Sequence, residues 1–415
     1  MSKIYVADKE TLDKIYNILA TEPVYGFIEH NAILAPGSRI EYIGLNKNYS
    51  PIEVTMGGGF TLNEWAEFPW LKGNKPWMVK ADGSADYRLN EDDYSKKEDG
   101  SNSDVANTSY NGGAFAWCPK IYKREYTVGD DRYVLFRFEK ADGFEAVGFI
   151  DSSNNELEGV WIPMFYGSIV SDKMRSTSNL QPDYGKATAA QKTAIDAFGS
   201  RARFFGGPII CTLIDLEIMF AKTTDLQTAY GKGNCSGYDA SIEDTHGVLK
   251  NAVVGGGLFY GTDDGTSLNK IFHSIVLGSY QQYMRDPYTL VINGRFKVSK
   301  NYAYALDGRG YLDTGIDVPQ PSAAGWAYPH RYRSVPGFGH LPTSPYNGSS
   351  ATGGCDGLYR STTQSSMTAV ALRFGACDYG LLDGGRCVRV DHTAPVANWA
   401  IGSALLLLPP VGASA

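Results

Sequence analysis

Residues 369–408 read AVALRFGACDYGLLDGGRCVRVDHTAPVANWAIGSALLLL, and this stretch decides which fold to expect. Its two apolar ends, residues 369–374 and 399–408, have the composition of strands that enter a core. Between them lie four glycines and a set of charged and aromatic side chains that a core would not select. The stretch therefore predicts two core strands that hold an exposed segment between them.

Length and composition indicate a globular chain. Its 415 residues exceed one ordinary domain, so two or three compact units are expected. With 43% apolar and 20% charged residues, the chain can bury a large core. Its 27 tyrosines and 47 glycines favour strands and tight loops over helices. A formal net charge of −7, with no cluster of Lys and Arg, argues against a nucleic-acid partner.

The cysteines and the N-terminal sequence indicate the cellular compartment of the protein. Six cysteines are scattered without a CxxC pair, so free thiols are expected, although Cys377 and Cys387 could meet across a loop. The N-terminal MSKIYVADKE contains no apolar signal region, and no apolar run is long enough to span a bilayer. These features predict a soluble protein made in a cytoplasm.

Residues 1–110 are expected to form a smaller, β-rich unit with one short helix. Asp8 can cap that helix, whose apolar stripe is Leu12, Ile15, Tyr16 and Leu19. Short apolar runs broken by Pro and Gly follow, as is typical of small β elements. These runs are residues 40–44, 52–59, 65–71 and 77–79. Polar residues 90–111 predict a loop that ends at the domain boundary.

Residues 111–415 have a different pattern, in which strands are expected at residues 115–126, 133–138 and 159–166. Thr188 and Gln191 have the spacing of a capping box for a helix that ends at Gly199. The remainder is turn-dense from residue 232 to 357, and such long loops are usually functional.

A second helix is predicted to begin at Thr212. Asp215 and Glu217 would lie near its start, where carboxylates interact favourably with the helix dipole. The chain is thus expected to be α+β, with two short helices in a strand-rich domain.

Five motifs carry a resemblance to known proteins. They are WCPKIYKR at 117–124, TLIDLEIMFA at 212–221, DLQTAYGKG at 225–233, LRFG at 372–375 and IGSAL at 401–405. In this order they resemble the C-type lectin-like fold, in the branch shared by formylglycine-generating enzymes and retroelement-diversified phage tropism determinants. MSKIYVADKETLDKIY at 1–16 and DVANTS at 104–109 look like segments of phage structural proteins.

The resemblance implies a phage virion protein. Residues 1–110 would anchor it to other virion proteins and support a homotrimer, while residues 111–415 would form the lectin-like domain with its first and last strands paired. Residues 369–408 would then present an exposed face to a host surface protein or glycan. The candidate receptor-binding residues are Asp378, Tyr379, Asp383, Arg386, Arg389, Asp391 and His392. Tyr and Arg suit such a surface, since they combine contact area with directional hydrogen bonding.

Other interpretations stay open. The same loop could be only a solvated surface, and Trp399 is predicted to support the core. A capsid or tail decoration or head-fibre protein without a receptor role is the main alternative. A degenerate formylglycine-type enzyme would bind copper at Cys377 and Cys387, but their surroundings do not reproduce that family's cysteine motif.

Catalytic and metal motifs are not found in the sequence. It contains no HExxH or HxxxH pair, no GxSxG elbow, and no Lys-Ser/Thr after the glycines at 255–257. Residues 181–183 read QPD, a triplet of calcium-dependent lectins, but they precede the first helix of the domain, so a turn is expected. Residues 263–265 read DDG and also predict a turn. We therefore expect no catalytic residue, no metal and no cofactor.

Overall fold

The structure is a computed structural model that describes residues 23–413 and 415. The helix predicted after Asp8 lies outside these residues. The described chain is strand-rich and α+β, and most of its strand pairs are antiparallel, as the composition predicts.

The strands are numbered in chain order. Up to residue 137 they are β1 (Tyr25–His30), β2 (Ile40–Gly44), β3 (Glu53–Val54), β4 (Phe60–Thr61), β5 (Pro76–Lys80), β6 (Ala85–Arg88), β7 (Gly112–Pro119), β8 (Tyr122–Val128) and β9 (Asp131–Arg137). The next are β10 (Gly159–Pro163), β11 (Gly167–Val170), β12 (Lys173–Ser176), β13 (Ala202–Phe204), β14 (Tyr283–Ile292) and β15 (Arg295–Val298). The last are β16 (Leu312–Asp317), β17 (Gly325–Ala327), β18 (Arg331–Val335), β19 (Gly339–Thr343), β20 (Leu358–Arg360), β21 (Thr368–Arg373), β22 (Val388–Arg389), β23 (Ile401–Gly402) and β24 (Leu405–Leu407).

Helices are fewer and mostly short. The α-helices of the described chain are α1 (Pro69–Gly73), α2 (Thr188–Phe198), α3 (Pro208–Ala221), α4 (Leu226–Tyr230) and α5 (Ile275–Gly278). Single 3₁₀ turns are formed by Asn63–Glu67, Gln364–Ser366 and Gly380–Leu382.

Three sheets organise the chain. A four-stranded sheet has the order β2-β1-β9-β8, and a six-stranded sheet has the order β13-β24-β10-β7-β5-β6. The largest sheet has the order β16-β15-β14-β21-β22-β20-β17, with β23 parallel to β14. The remaining strands form the hairpins β3-β4, β11-β12 and β18-β19.

The predicted division at residue 110 does not separate two cores in the described chain. Strand β5 pairs with β7 and β1 pairs with β9, so both pairings cross residue 110. One hydrophobic cluster extends from Val24 to Leu408. Residues 90–111 form a polar loop between β6 and β7, which belong to the same sheet. Buried Tyr94 anchors this loop by donating a hydrogen bond to the Gly257 carbonyl at 3.1 Å.

The C-terminal stretch joins two sheets. The predicted strand at residues 369–374 is confirmed as β21 in the eight-stranded sheet, whereas β24 belongs to the six-stranded sheet. The resemblance implies that the strands at the two ends of residues 111–415 pair directly. Instead, β7 and β24 lie on opposite sides of β10, where Trp161 faces Trp117 on one side and Leu407 on the other.

Several other predicted secondary-structure elements differ from those in the structure. Residues 65–71, predicted as β, form the end of a 3₁₀ turn and most of α1, because Pro69 occupies a first-turn position where a helix tolerates it. The strand predicted at 115–126 is two strands, and the first ends at Pro119, which has no N–H for a ladder. The longest strand, β14, lies in the region predicted to be turns.

Helix α2 is confirmed, but its predicted capping box is wrong. The N-cap position is Ala187, which makes no side-chain cap. The Thr188 hydroxyl donates to the Ala394 carbonyl at 2.8 Å, and the Gln191 amide oxygen accepts from Arg285 Nε at 2.8 Å. Both side chains therefore connect the helix to distant segments.

Helix α3 is the buried axis of the fold. It begins at Pro208, four residues before the predicted start, and every residue from Pro208 to Phe220 is buried. Asp215 and Glu217 consequently lie in the middle of a buried helix and not in its first turn, so the predicted dipole role is wrong. Neither carboxylate oxygen of Glu217 has a hydrogen-bond partner in the described chain.

The buried Glu217 predicts how stability depends on pH. Burial, with Asp356 nearby, holds the pKa of Glu217 well above its ordinary value. The folded protein therefore keeps a proton that the unfolded chain releases above about pH 4.3, so stability falls as pH rises, by up to about 1.4 kcal/mol per pH unit. Glu217→Gln removes this contribution.

We expect the difference in unfolding free energy between Glu217→Gln and the parent protein to shift in favour of the variant as pH rises. Urea unfolding at about pH 4, 6 and 8 measures this shift. Glu53→Gln, at an exposed strand position, is the control. A difference that is the same at every pH would contradict the assignment.

Candidate recognition surface

The seven candidate residues divide into two groups in the structure. Asp378 is exposed and Tyr379 is half-buried, whereas the side chains of Arg389, Asp391 and His392 are only 12%, 13% and 14% exposed. The other two are not on the surface: Asp383 is 0% exposed and Arg386 is 2% exposed. The expectation of a surface position is therefore wrong for Asp383 and Arg386, because both are held by polar groups inside the protein.

The half-buried candidates form one hydrogen-bonded cluster. Arg389 donates from Nη1 to the Tyr379 hydroxyl at 3.0 Å. Its Nε and Nη2 donate to the two carboxylate oxygens of Asp391 at 3.1 and 2.9 Å. The Nδ1 atom of His392 lies 2.8 Å from Asp391 Oδ1. Bidentate pairing of this kind fixes the plane of a guanidinium group.

Aromatic rings surround Arg389 on several sides. Its guanidinium carbon lies 4.4 Å from the ring centre of Tyr359, 5.7 Å from that of Tyr379 and 5.9 Å from that of Trp326. Trp326 meets Tyr359 and Tyr379 edge to face, with centroid distances of 5.2 and 5.1 Å. We call Trp326, Tyr359, Tyr379, Arg389, Asp391 and His392 the Arg389 patch.

The register of three adjacent strands brings the central residues of the patch together. In the eight-stranded sheet Trp326 on β17 faces Tyr359 on β20, and Tyr359 faces Arg389 on β22. Side chains at paired positions of adjacent strands project from the same face and contact one another. Trp326 and Tyr359 were not among the sequence candidates, because β17 and β20 have three residues each and show no period.

Arg389 and Asp391 stay charged near neutral pH. Burial acts to raise the pKa of Asp391, but hydrogen bonds from His392 and Arg389 outweigh it and leave the pKa below its ordinary value. For Arg389, burial acts to lower the pKa, but the hydrogen bond to Asp391 and other neighbours raise it overall. The surface therefore presents a fixed ion pair inside a ring of aromatic side chains.

Arg386 belongs to a buried ion-pair network. Its Nη1 and Nη2 donate to the two carboxylate oxygens of Glu29 on β1, both at 2.7 Å. Glu29 also accepts from Arg39 Nε at 3.0 Å and from Arg132 Nε at 2.9 Å. Burial opposes ionisation of Glu29, but the surrounding arginines hold its pKa well below the ordinary value. Arg386 thus ties the C-terminal segment to the first described strand.

The same ion-pair network includes three residues that could bind a metal ion. Glu125, Asp215 and His340 bring ligand atoms within 4.8 Å of one another. Lys123 Nζ already lies 2.5 Å from Asp215 Oδ2 and 3.2 Å from Glu125 Oε1, and Arg132 contacts both carboxylates. Burial lowers the pKa of His340 to about 3, so its imidazole is neutral. Two protein cations therefore balance the two carboxylates.

The cysteines and Asp183 are buried, and Asp264 stabilises a surface turn, whereas residues 181–183 do not form the predicted turn. All six cysteines are free and buried, and burial raises the pKa of Cys377 to about 12. The carboxylate of Asp264 accepts from the Thr266 N–H at 2.8 Å and from the Ser267 hydroxyl at 2.7 Å, which confirms a turn at residues 263–265. Asp183 is buried, and its carbonyl accepts from the Gln282 amide at 3.0 Å.

Trp399 supports the core, as the sequence predicts. It is half-buried, and its ring packs on Tyr238 and His246 with centroid distances of 5.5 and 5.0 Å. It also packs against the small cluster of buried apolar side chains that contains Ala400 and Ile401.

The chain has no match among protein-family models or curated protein sequences. None of the helices in the described part of the chain has the length and apolar character needed to cross a bilayer.

Arg386 should be structurally essential, unlike its exposed neighbours. Arg386→Ala leaves part of the Glu29 carboxylate buried without its bidentate partner, and breaking such a pair typically costs about 3–5 kcal/mol. We expect a loss of this size in the free energy of unfolding, measured by urea denaturation.

The matched control is Arg309→Ala, because the Arg309 side chain is 86% exposed and should change stability by less than about 0.5 kcal/mol. Equal stability of the two variants would show that the Glu29 pair contributes little.

Proposed function

We propose that this chain is a phage virion structural protein that binds the host cell surface through the Arg389 patch. Binding depends on surface complementarity and includes no chemical step. The patch lies in a C-type lectin-like domain, and the N-terminal region attaches the protein to other virion proteins. The receptor is a host surface protein or glycan.

The arrangement of Trp326, Tyr359 and Arg389 across three adjacent strands is the observation that carries this proposal. Tyr, Trp and Arg dominate the energetically important positions of binding interfaces. Here Trp326 and Tyr359 are half-buried, the Arg389 side chain is 12% exposed, and all three are held by strand register, Arg389 also by the Asp391 ion pair. A preorganised surface loses little conformational entropy when it binds, so it is suited to recognition.

The resemblance of the five motifs is the basis for the lectin-like architecture in this proposal. The motif at 212–221 forms most of α3, and that at 225–233 includes α4. The motifs at 372–375 and 401–405 flank the segment that contains most of the patch. A homotrimer would present three patches and increase the apparent affinity without new contacts.

Adsorption of the purified protein to host cells tests the proposal. We expect the double variant Tyr379→Ala/Arg389→Ala to adsorb roughly tenfold less than the parent protein, because it removes an aromatic anchor and the central cation. It should also fail to block infection. Arg386 is left unchanged, since its loss would disturb folding.

The control is the double variant Tyr304→Ala/Arg309→Ala, which removes the same residue types outside the patch. Thermal unfolding confirms that both proteins remain folded. If the parent protein does not adsorb to a host that the particle infects, the proposal is wrong, and a virion decoration role becomes the better interpretation.

A further inference from the structure

A closed loop at residues 238–246 places large apolar side chains at the surface, and we call it the Tyr238 loop. Tyr238 is 46% exposed and Ile242 is 44% exposed. The Tyr238 ring packs on His246 and Trp399, and the centroids of those two rings lie 5.0 Å apart. Single exposed apolar residues are common, whereas a group of them in one place marks an interaction site. The Tyr238 loop is therefore a candidate interaction site.

Hydrogen bonds within the loop keep it closed. The Asp239 N–H donates to the His246 carbonyl at 3.1 Å, and the His246 N–H donates to the Ile242 carbonyl at 3.1 Å. The hydroxyl and the N–H of Ser241 donate to the Asp239 carboxylate at 2.7 and 2.8 Å. A preformed loop loses little conformational entropy when it binds. The loop therefore presents Ile242 to a partner from a fixed backbone.

The Tyr238 loop and the Arg389 patch have a common support. The Tyr238 N–H donates to the Cys377 carbonyl at 2.9 Å, two residues before Tyr379 of the patch. Trp399, on which the loop packs, lies against the same small cluster of buried apolar side chains as Trp326 and Tyr379. The two surfaces therefore adjoin, and one partner can cover both.

The loop is acidic as well as apolar. Residues 233–249 contain three carboxylates, at Asp239, Glu243 and Asp244, and no Lys or Arg. All three residues are exposed, and none of them forms an ion pair within the described chain. Hydrogen bonds from Ser241 lower the pKa of Asp239, so this carboxylate is ionised near neutral pH. An apolar centre with a polar, charged rim is the usual composition of a protein–protein interface.

This composition indicates the chemistry of the partner. Opposite charges across an interface favour association and like charges oppose it, so the three carboxylates favour a basic surface and disfavour an acidic polysaccharide. An aliphatic side chain such as Ile242 gains free energy when it enters an apolar pocket, which a folded protein can provide. A standard protein interface also involves about 20–30 residues on each side, more than the Arg389 patch supplies alone.

We propose that the Tyr238 loop is a second contact region for the host receptor, and that this receptor is a protein whose facing surface has an apolar pocket rimmed by Lys and Arg. Ile242 enters the pocket, and the three carboxylates of the loop face the basic rim. This inference rests on the proposed function, since it names the receptor class and extends the contact surface beyond the Arg389 patch.

Truncation of Ile242 tests the apolar contact. We expect Ile242→Ala to reduce adsorption of the full chain to host cells roughly tenfold, because it removes the side chain that fills the pocket. Leu312→Ala is the matched control. Leu312 is 40% exposed, and its strand β16 lies at the opposite edge of the eight-stranded sheet from β17 of the patch. Thermal unfolding verifies that both variants are folded.

Removal of charge at constant side-chain size tests the rim. The double variant is Glu243→Gln/Asp244→Asn, and Asn tolerates the φ of 69° at position 244. We expect adsorption of the parent protein to fall several-fold between about 50 and 500 mM NaCl, because salt screens the attraction. The variant should adsorb less at low salt and depend less on salt. Glu53→Gln/Asp142→Asn, at exposed positions outside the loop, should behave like the parent.

Treatment of the host cells tests the receptor class. Protease should remove adsorption of the parent protein, because it cleaves the receptor. Periodate, which cleaves the vicinal diols of glycans, should leave adsorption unchanged.

The outcomes separate this inference from the proposed function. Adsorption equal to the parent by Ile242→Ala or by the charge variant would overturn the Tyr238 loop as a contact region and leave the Arg389 patch in place. Adsorption that survives protease but not periodate would overturn the protein receptor. Adsorption of the parent that does not fall with salt would overturn the basic rim. If the parent protein does not adsorb to untreated cells of a host that the particle infects, both proposals are wrong.

Discussion

The buried carboxylate of Glu29 is the constraint on which the rest of the structure depends. It accepts hydrogen bonds from Arg39, Arg132 and Arg386, which lie far apart in the sequence. A buried carboxylate is tolerated only when its charge is balanced and its oxygens are hydrogen-bonded, so these three arginines have little freedom to move. Through Arg132 the network continues to Asp215 on α3 at 2.7 Å. One set of charges therefore connects β1, the central helix and the C-terminal segment.

This network determines what the C-terminal segment can present. Arg386 points inward to Glu29, and three residues later Arg389 lies in a cage of aromatic rings at the surface. Strand β22 contains Arg389 and pairs with both β20 and β21, so the patch is part of a sheet and not of a free loop. The rigidity that suits this surface for recognition is thus inherited from the sheet and from the buried charges beneath it.

The sequence predicts the fold class well and the arrangement of the C-terminal segment only in part. Apolar runs such as 369–374 and 133–138 correspond to strands because their periodicity reports local burial. The sequence places four charged residues wrongly, and the reason is physical. Asp215, Glu217, Asp383 and Arg386 are buried. The free-energy cost of burying their charge is removed by partners distant in sequence or by protonation. Sequence proximity contains no information about those partners. Trp326 and Tyr359 were missed because only the pairing of three short strands brings them to Arg389.

The alternation of inward and outward side chains along β22 and its flanks also limits how this surface can evolve or be engineered. Arg386, Cys387, Val388 and Val390 are buried, whereas the side chains of Arg389 and Asp391 are 12% and 13% exposed. A combinatorial library that randomised every codon from 378 to 392 would therefore consist mostly of unfolded proteins, since it would replace Asp383 and Arg386 together with the surface. A library restricted to the codons for Asp378, Tyr379, Arg389, Asp391 and His392, supplemented by those for Trp326 and Tyr359, would vary the binding face while keeping its support. Such a library would vary only the positions that a binding partner can contact.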